Sequence, residues 1–288
     1  MTTTGTNTIG STAYRTKFYM ANLQQVLRNA LVAEKICAVD SGDSYTIKNP
    51  YGSQPTTTIS ALTGTYLVND YTITDDTLTV TDEFKNAEHV YDFEELLNNF
   101  DLFANRADEQ AYSVAASIDK YVVNNLGTDA TGTYTTPTGG FTTAANINTI
   151  MANLQSKVAG YADAYKGTFL VIENTDLVGF QIAGATNGFS MADATLNNGF
   201  AGRWMGTDIY VIRTGTFVTS TLGTKSVTCS GCRVFGVKGV ATYAAPRGVR
   251  YEEKAVSGKT GKEVVTYGYV GFKLWTQKAG LVVKITLA

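Results

Sequence analysis

The chemistry open to this chain is confined to a few places. Its single histidine, His89, excludes any site that needs two or more imidazoles, and it is read as structural. Cys229-Ser-Gly-Cys232 is a CxxC, a spacing that serves metal binding or dithiol redox chemistry. Zinc would need two further ligands, and Cys37 and His89 are distant in sequence. The flanking SVTCSGCRVFG reads as a turn between strands rather than the start of a redox helix. Three cysteines and no apolar leader within residues 1–13 predict free thiols made in a reducing cytoplasm. The acidic pairs Asp75/Asp76 and Asp82/Glu83 fall in a Thr-rich stretch and are expected to be solvated. Asp40 and Asp43 have only their spacing to suggest a weak cation site.

Phosphate chemistry fares no better. Gly258-Lys259-Thr260 would end a P-loop, but Glu253 stands where its first glycine belongs, and the segment is a polar loop. Gly199, Gly202 and Gly206 are not spaced as GxGxxG. They precede a strand instead of opening a helix, so no helix N-terminus waits for a phosphate; a backbone bend that needs small residues is the simpler reading. There is no GxSxG elbow. No catalytic, cofactor-binding or metal-binding residue is assigned, no cofactor is expected, and the chain is read as a non-enzyme.

The elements that would position such residues follow from composition and period. The chain has 288 residues and a formal net charge of −2, which argues against a dominant electrostatic grip on nucleic acid. Charged residues make up 17%, against roughly 25% in ordinary soluble domains. Threonine takes about one position in seven, which suits pleated strands. A surface so poor in Lys and Glu resembles the centre of an interface. No apolar run approaches the roughly 18 residues of a membrane helix, and no membrane partner is expected.

Residues 1–13 read as a polar arm. A helix is predicted over 17–36 from Phe18, Leu23, Val26, Leu27, Ala30, Leu31 and Ala33. From Tyr45 to Tyr91 the pattern is that of strands, and YTITDDTLTV (71–80) predicts a hairpin that turns at TDDT. A two-stranded ribbon is marginal alone in water, so it packs on its own chain or lies across a neighbour. A helical stripe from Phe93 through Phe103, Ala111, Val114, Ala115 and Ile118 to Val122 predicts one long helix over 93–126. Asp92 and Glu95 are placed to cap it and Gly127 to stop it; a heptad coiled coil is the competing account. Residues 128–143 read as a loop or ribbon. Ile147, Ile150, Met151, Leu154 and Val158 mark a further helix, and FLVIEN (169–174) a strand covered on both sides. TDLVGFQIAG (175–184) suggests a short helix, and strands are predicted at 208–213, 232–236, 263–275 and 281–287.

The order of these parts resembles the major capsid proteins of tailed double-stranded DNA bacteriophages, with the HK97-like fold. LTVTDEFKNAEHVYDFEELLNNFDLFANRADEQAYSVAASIDKYVV (78–123) is similar to an extended loop descending into a spine helix, and Ile118-Asp119-Lys120 to the "ID" late in that helix. FLVIEN resembles the start of the axial domain. NGFAGRWMGTDIYVIR (198–213) resembles the family's G-x-I-G-x-x-x-G-x-x-V-Y strand, with Phe200-Ala201 where an aliphatic residue is often seen. YGYVGFKLWTQKAGLVVKIT (267–286) resembles the closing peripheral strands.

The resemblance implies an α+β, HK97-like capsid fold. Its parts would be an N-terminal arm and helix (1–44), an extended loop (45–91), and a peripheral domain (92–143) with spine helix 93–126. An axial domain (144–250) and closing peripheral strands (251–288) would follow. It implies a structural subunit that self-assembles as hexamers and pentamers into an icosahedral shell packaging double-stranded DNA, held by non-specific proximity. Portal and scaffolding proteins are the implied partners, with decoration proteins as further ones, and the virion is the implied location after assembly in the host bacterial cytoplasm. Lys48 and Lys85 lie near the loop, but nothing marks a crosslinking site. The alternative is an encapsulin-like nanocompartment shell with a protein cargo. A secreted adhesin or surface-layer protein would be β throughout, which the long helix opposes.

Overall fold

The computed structural model describes residues 31–40, 42, 44–53, 57, 59, 70–91, 102–187, 200–255, 258 and 260–288. The expected arm 1–13, most of the helix expected over 17–36, Asp43, the caps Asp92 and Glu95, the helix start 93–101 and Gly199 lie outside them.

A short helix α1 (Ala33–Ile36) leads into strand β1 (Ala38–Asp40). Strands β2 (Thr46–Gly52), β3 (Ile73–Thr79) and β4 (Asp82–Val90) follow, and then the long helix α2 (Leu102–Asp129). Beyond it lie β5 (Gly132–Thr135), α3 (Ala144–Val158), β6 (Thr168–Glu173) and α4 (Leu177–Asn187). Strands β7 (Phe200–Trp204), β8 (Thr207–Ile212), β9 (Thr219–Leu222), β10 (Lys225–Thr228) and β11 (Cys232–Val237) come next. The chain closes with β12 (Ala241–Ala244), β13 (Arg250–Ala255), β14 (Lys262–Leu274) and β15 (Val282–Thr286).

Two sheets share α2. In the five-stranded one, the long β14 runs between β13 and β4 along its first part and pairs with β12 at Gly271–Leu274, with β1 parallel to β12 at the edge. The six-stranded sheet has the order β5-β15-β11-β6-β8-β7. Its inner strands β8 and β11 are buried at every position and β6 at all but its first, which requires cover on both faces. Ile147, Ile150, Met151, Leu154 and Val158 of α3 are all buried, as their spacing predicted. The α+β class, the helix α3 and the strand at FLVIEN are thus as expected.

Three expectations need correction. TDDT does not turn: Ile73–Thr79 is one continuous strand, paired antiparallel with Thr46–Gly52 from Thr46↔Thr79 to Gly52↔Ile73. The aspartates, read as turn formers, are strand residues, and Asp76 is held from outside the ribbon, as described below. Gly127 does not stop the helix, which continues to Asp129. It is a glycine for space, because a Cβ there would collide with Cys229 Sγ and lie 3.0 Å from Val234 Cγ2. Every residue from Tyr121 to Gly127 is buried, so packing on both sheets overrides the C-cap preference. The cysteines are not all free: Cys229 and Cys232 form a disulfide, and only Cys37 is a thiol. Strand pairing joins segments far apart in sequence. β4, inside 45–91, pairs with β14 along its length. β15 and β5 join β11 and β6, while β12 joins β14.

Candidate functional site

The feature that distinguishes this fold from a closed globule is the β2–β3 ribbon and the root that holds it. Along the ribbon, Tyr45, Tyr71 and Ile73 are 67%, 70% and 66% exposed. The exposed pair Lys48–Asp75, at 3.1 Å, contributes little in water. At the root the chemistry changes. Leu78 and Val80 are buried with Ala244 and Trp275, and Ile47 packs against them. Trp275 Nε1 donates to Thr242 Oγ1 at 3.0 Å. Asp76 is buried, accepts the Thr276 N–H at 2.7 Å, and lies 2.8 Å from Lys273 Nζ. Burial pushes its carboxyl upward, but the bonds from Lys273 and Thr276 outweigh that and hold it below the ordinary range. At Gly271 any Cβ would meet Val80 Cα at 2.9 Å, so this glycine lets the ribbon's base cross directly over β14.

Asp82, the next acid along, is also buried. It accepts from Tyr121 Oη at 2.7 Å, Thr224 Oγ1 at 3.2 Å and the Thr224 N–H at 2.5 Å. One carboxylate thereby joins β4, α2 and the β9–β10 turn. Burial, then the bond to Asp82, raises the Tyr121 phenol above its usual range. Of the acids expected to be solvated, Asp75 and Glu83 remain exposed at the side chain, but Asp76 and Asp82 do not. Dehydrated carboxylates demand this many donors.

Asp119, noticed in sequence only as part of Ile118-Asp119-Lys120, accepts the N–H groups of Val32 and Ala33 at 2.7 and 2.6 Å. It caps α1 from the middle of α2, serving donors that a helix start leaves unpaired. Sequence reasoning also missed a buried triad. Arg233 reaches Glu173 Oε2 at 3.1 Å and bonds Asp176 through Nε, with all three side chains no more than 10% exposed. Gly215 N–H donates to Glu173 Oε1 at 3.0 Å, so the triad fastens the loop after β8 as well. Glu173 and Asp176 in FLVIENTD (169–176) and Arg233 after Cys232 were the available signal.

The other residues weighed for chemistry are scattered. His89 stands on β4 with Nε2 3.2 Å from the Thr260 carbonyl oxygen and its ring edge-on to Tyr91. Asp40 accepts the Gly42 N–H at 2.8 Å. Met205 (φ 46°) and Gly206 (φ 80°) form the tight turn between β7 and β8, and a bulge falls at Phe200/Gly202, where Gly202 has φ 125°. These glycines bend the backbone, as their spacing suggested. Gly258 (φ 79°) sits between β13 and β14. Among the described residues no group of three or more His, Cys, Asp or Glu is placed to hold a metal ion. No described helix is long and apolar enough to cross a membrane.

No protein-family model and no curated protein matches the chain. Solved structures do. A chain of Mycobacterium phage Che8 superposes with TM-score 0.73 at 13% identity, over 93% of this chain and 95% of that one. The capsid of Cyanophage P-SCSP1u gives 0.69 at 11% identity over 94% and 92%. The capsid of Myoviridae phage XM1 gives 0.67 at 12% identity over 96% and 98%. With its projecting ribbon, long central helix and two sheets, this chain has the fold of bacteriophage capsid proteins, the HK97-like fold.

Proposed function

We propose that the chain is a major capsid subunit, a structural protein rather than an enzyme. Its copies would assemble as hexamers and pentamers into an icosahedral shell that packages double-stranded DNA. The observation that carries this is the β2–β3 ribbon: Tyr71 and Ile73, at the far end of its paired strands, are exposed on a two-stranded element that is marginal by itself, while its root is firmly anchored. A neighbouring copy would supply the missing surface. The likeness over nearly the whole length of capsid chains supports the same reading, and it favours a phage capsid over an encapsulin-like compartment.

In this reading the extended loop is 45–81. The peripheral domain takes α2, β1, β4 and β12–β14. The axial domain takes β5–β11, β15, α3 and α4. Portal and scaffolding proteins would be the assembly partners, with the virion as destination and the host cytoplasm as the place of assembly.

The test is replacement of residues 50–75 by an Asn-Gly turn, which spares the root residues Asp76, Leu78 and Val80 and the whole of β4. The variant is expected to remain folded and soluble by circular dichroism, yet form no closed shells by negative-stain microscopy. Normal particles from it would refute the role of the ribbon.

A further inference from the structure

We propose that Cys229 and Cys232 form a redox-closed lock on the junction of α2 with the two sheets, which the folded packing shields from reductants. The inference does not depend on the capsid reading.

The pair closes the turn between β10 and β11, where Cys232 N–H donates to the Cys229 carbonyl at 3.0 Å. Both residues are buried, at 0% and 1% exposure. The sulfurs lie against Gly127, two residues before the end of α2, and a side chain there would displace Cys229 Sγ. Several bonds around the pair tie α2 to its surroundings. Thr228 N–H donates to Thr128 Oγ1 at 3.1 Å, Val218 N–H to Asn124 Oδ1 at 2.8 Å, and Lys225 pairs with Asp129. Cys229 N–H bonds the Val218 carbonyl at 2.9 Å, while β11 continues into the six-stranded sheet and Thr224 reaches Asp82 in the other. Releasing the turn would loosen all of these together.

Closure needs an oxidant, and a small-molecule disulfide suffices. One cysteine thiolate attacks it, forming a mixed disulfide and releasing one thiol. The second cysteine attacks the mixed disulfide and releases the other thiol. One S–S bond breaks, one forms, and the two cysteine hydrogens end on the released thiols. The closed loop is short, so constraint of the unfolded chain is small compared with that of a long-loop disulfide. The effect is local, in the fit of the turn against a glycine. Because an attacking thiolate must reach a sulfur directly, burial makes reduction wait for local opening.

The test uses the full chain, treated with oxidised glutathione, unfolded in guanidinium and alkylated with iodoacetamide. Mass spectrometry is expected to show one adduct, on Cys37, and three after reduction of the unfolded chain. The folded, oxidised protein is expected to resist dithiothreitol at least about tenfold longer than the unfolded one. Hydrogen exchange over 219–232 should accelerate in the double variant Cys229→Ser/Cys232→Ser, whose melting point reductant should not change. Three adducts after oxidation, reduction of the folded protein at the unfolded rate, or unchanged exchange in the double variant would each overturn the proposal.

Discussion

Asp76 Oδ1 lies 2.8 Å from Lys273 Nζ, and this pair, made across the base of the ribbon, fastens a strand that among the described residues pairs only with β2. The other oxygen takes the Thr276 N–H. Replacing Asp76 by Ala should cost about 1–3 kcal/mol, the penalty of leaving buried donors unmade. The sharper readout is local: amide exchange over 46–79 should accelerate more than exchange over 262–270. Uniform acceleration would mean a general loss of stability instead of a loosened root.

The same carboxylate gives the ribbon an acid limit. Its folded pKa lies below the unfolded value, so the stabilisation is fully present above the unfolded value, about 4. It is lost as pH falls through the lower, folded one. Protection of the root amides, relative to their intrinsic exchange rates, should therefore fall at the acid end of this window in the natural chain and change less across it in Asp76→Asn.

Asp119 should behave in the opposite sense. Burial raises its carboxyl above the ordinary range, and the two N–H bonds from Ala33 and Val32 only partly offset that. A raised acid contributes stability that is fully present below the unfolded pKa and is lost as pH rises to the folded one. The stability of the natural chain minus that of Asp119→Asn, from urea titrations, should fall as pH rises from about 4 and level off above the folded value. A difference growing over that range would contradict the assignment.

Arg233 should be the costliest single charge to remove. Its loss leaves Glu173 and Asp176 buried without their cation, a situation that destabilises by about 3–5 kcal/mol. Arg233→Met should lower the urea midpoint accordingly, and adding Glu173→Gln and Asp176→Asn should recover part of the loss.

Gly127→Ala tests packing against propensity. Alanine favours a helix by up to about 1 kcal/mol, yet here its Cβ meets Cys229 Sγ, and overpacking costs about 1–3 kcal/mol. Net destabilisation is expected by calorimetry, and a higher melting point would refute the close approach.

What could be read from the sequence was what repeats. The stripe of Ile147, Ile150, Met151, Leu154 and Val158 fixed α3, and the unbroken apolar run of FLVIEN gave a strand covered on both faces. Both patterns are local, and each is set by a single periodicity. What escaped was set by distant partners. Asp75 and Asp76 carry turn propensity, but Lys48 is 27 positions from Asp75 and Thr276 is 200 from Asp76, so the strand that pairing imposes was read as a turn. Gly127 looked like a helix stop because its neighbour Cys229 belongs to another element. Likewise β14 and β15 are consecutive and similar in composition, yet they join different sheets.

The most direct test of the central claim is microscopy of the natural chain beside the 50–75 replacement, with analytical ultracentrifugation of both. Closed shells or capsomers from the natural chain, and folded unassembled subunits from the replacement, are the outcome this account predicts. A natural chain that sediments as a single compact subunit at every concentration, with slow exchange throughout its ribbon, would contradict it.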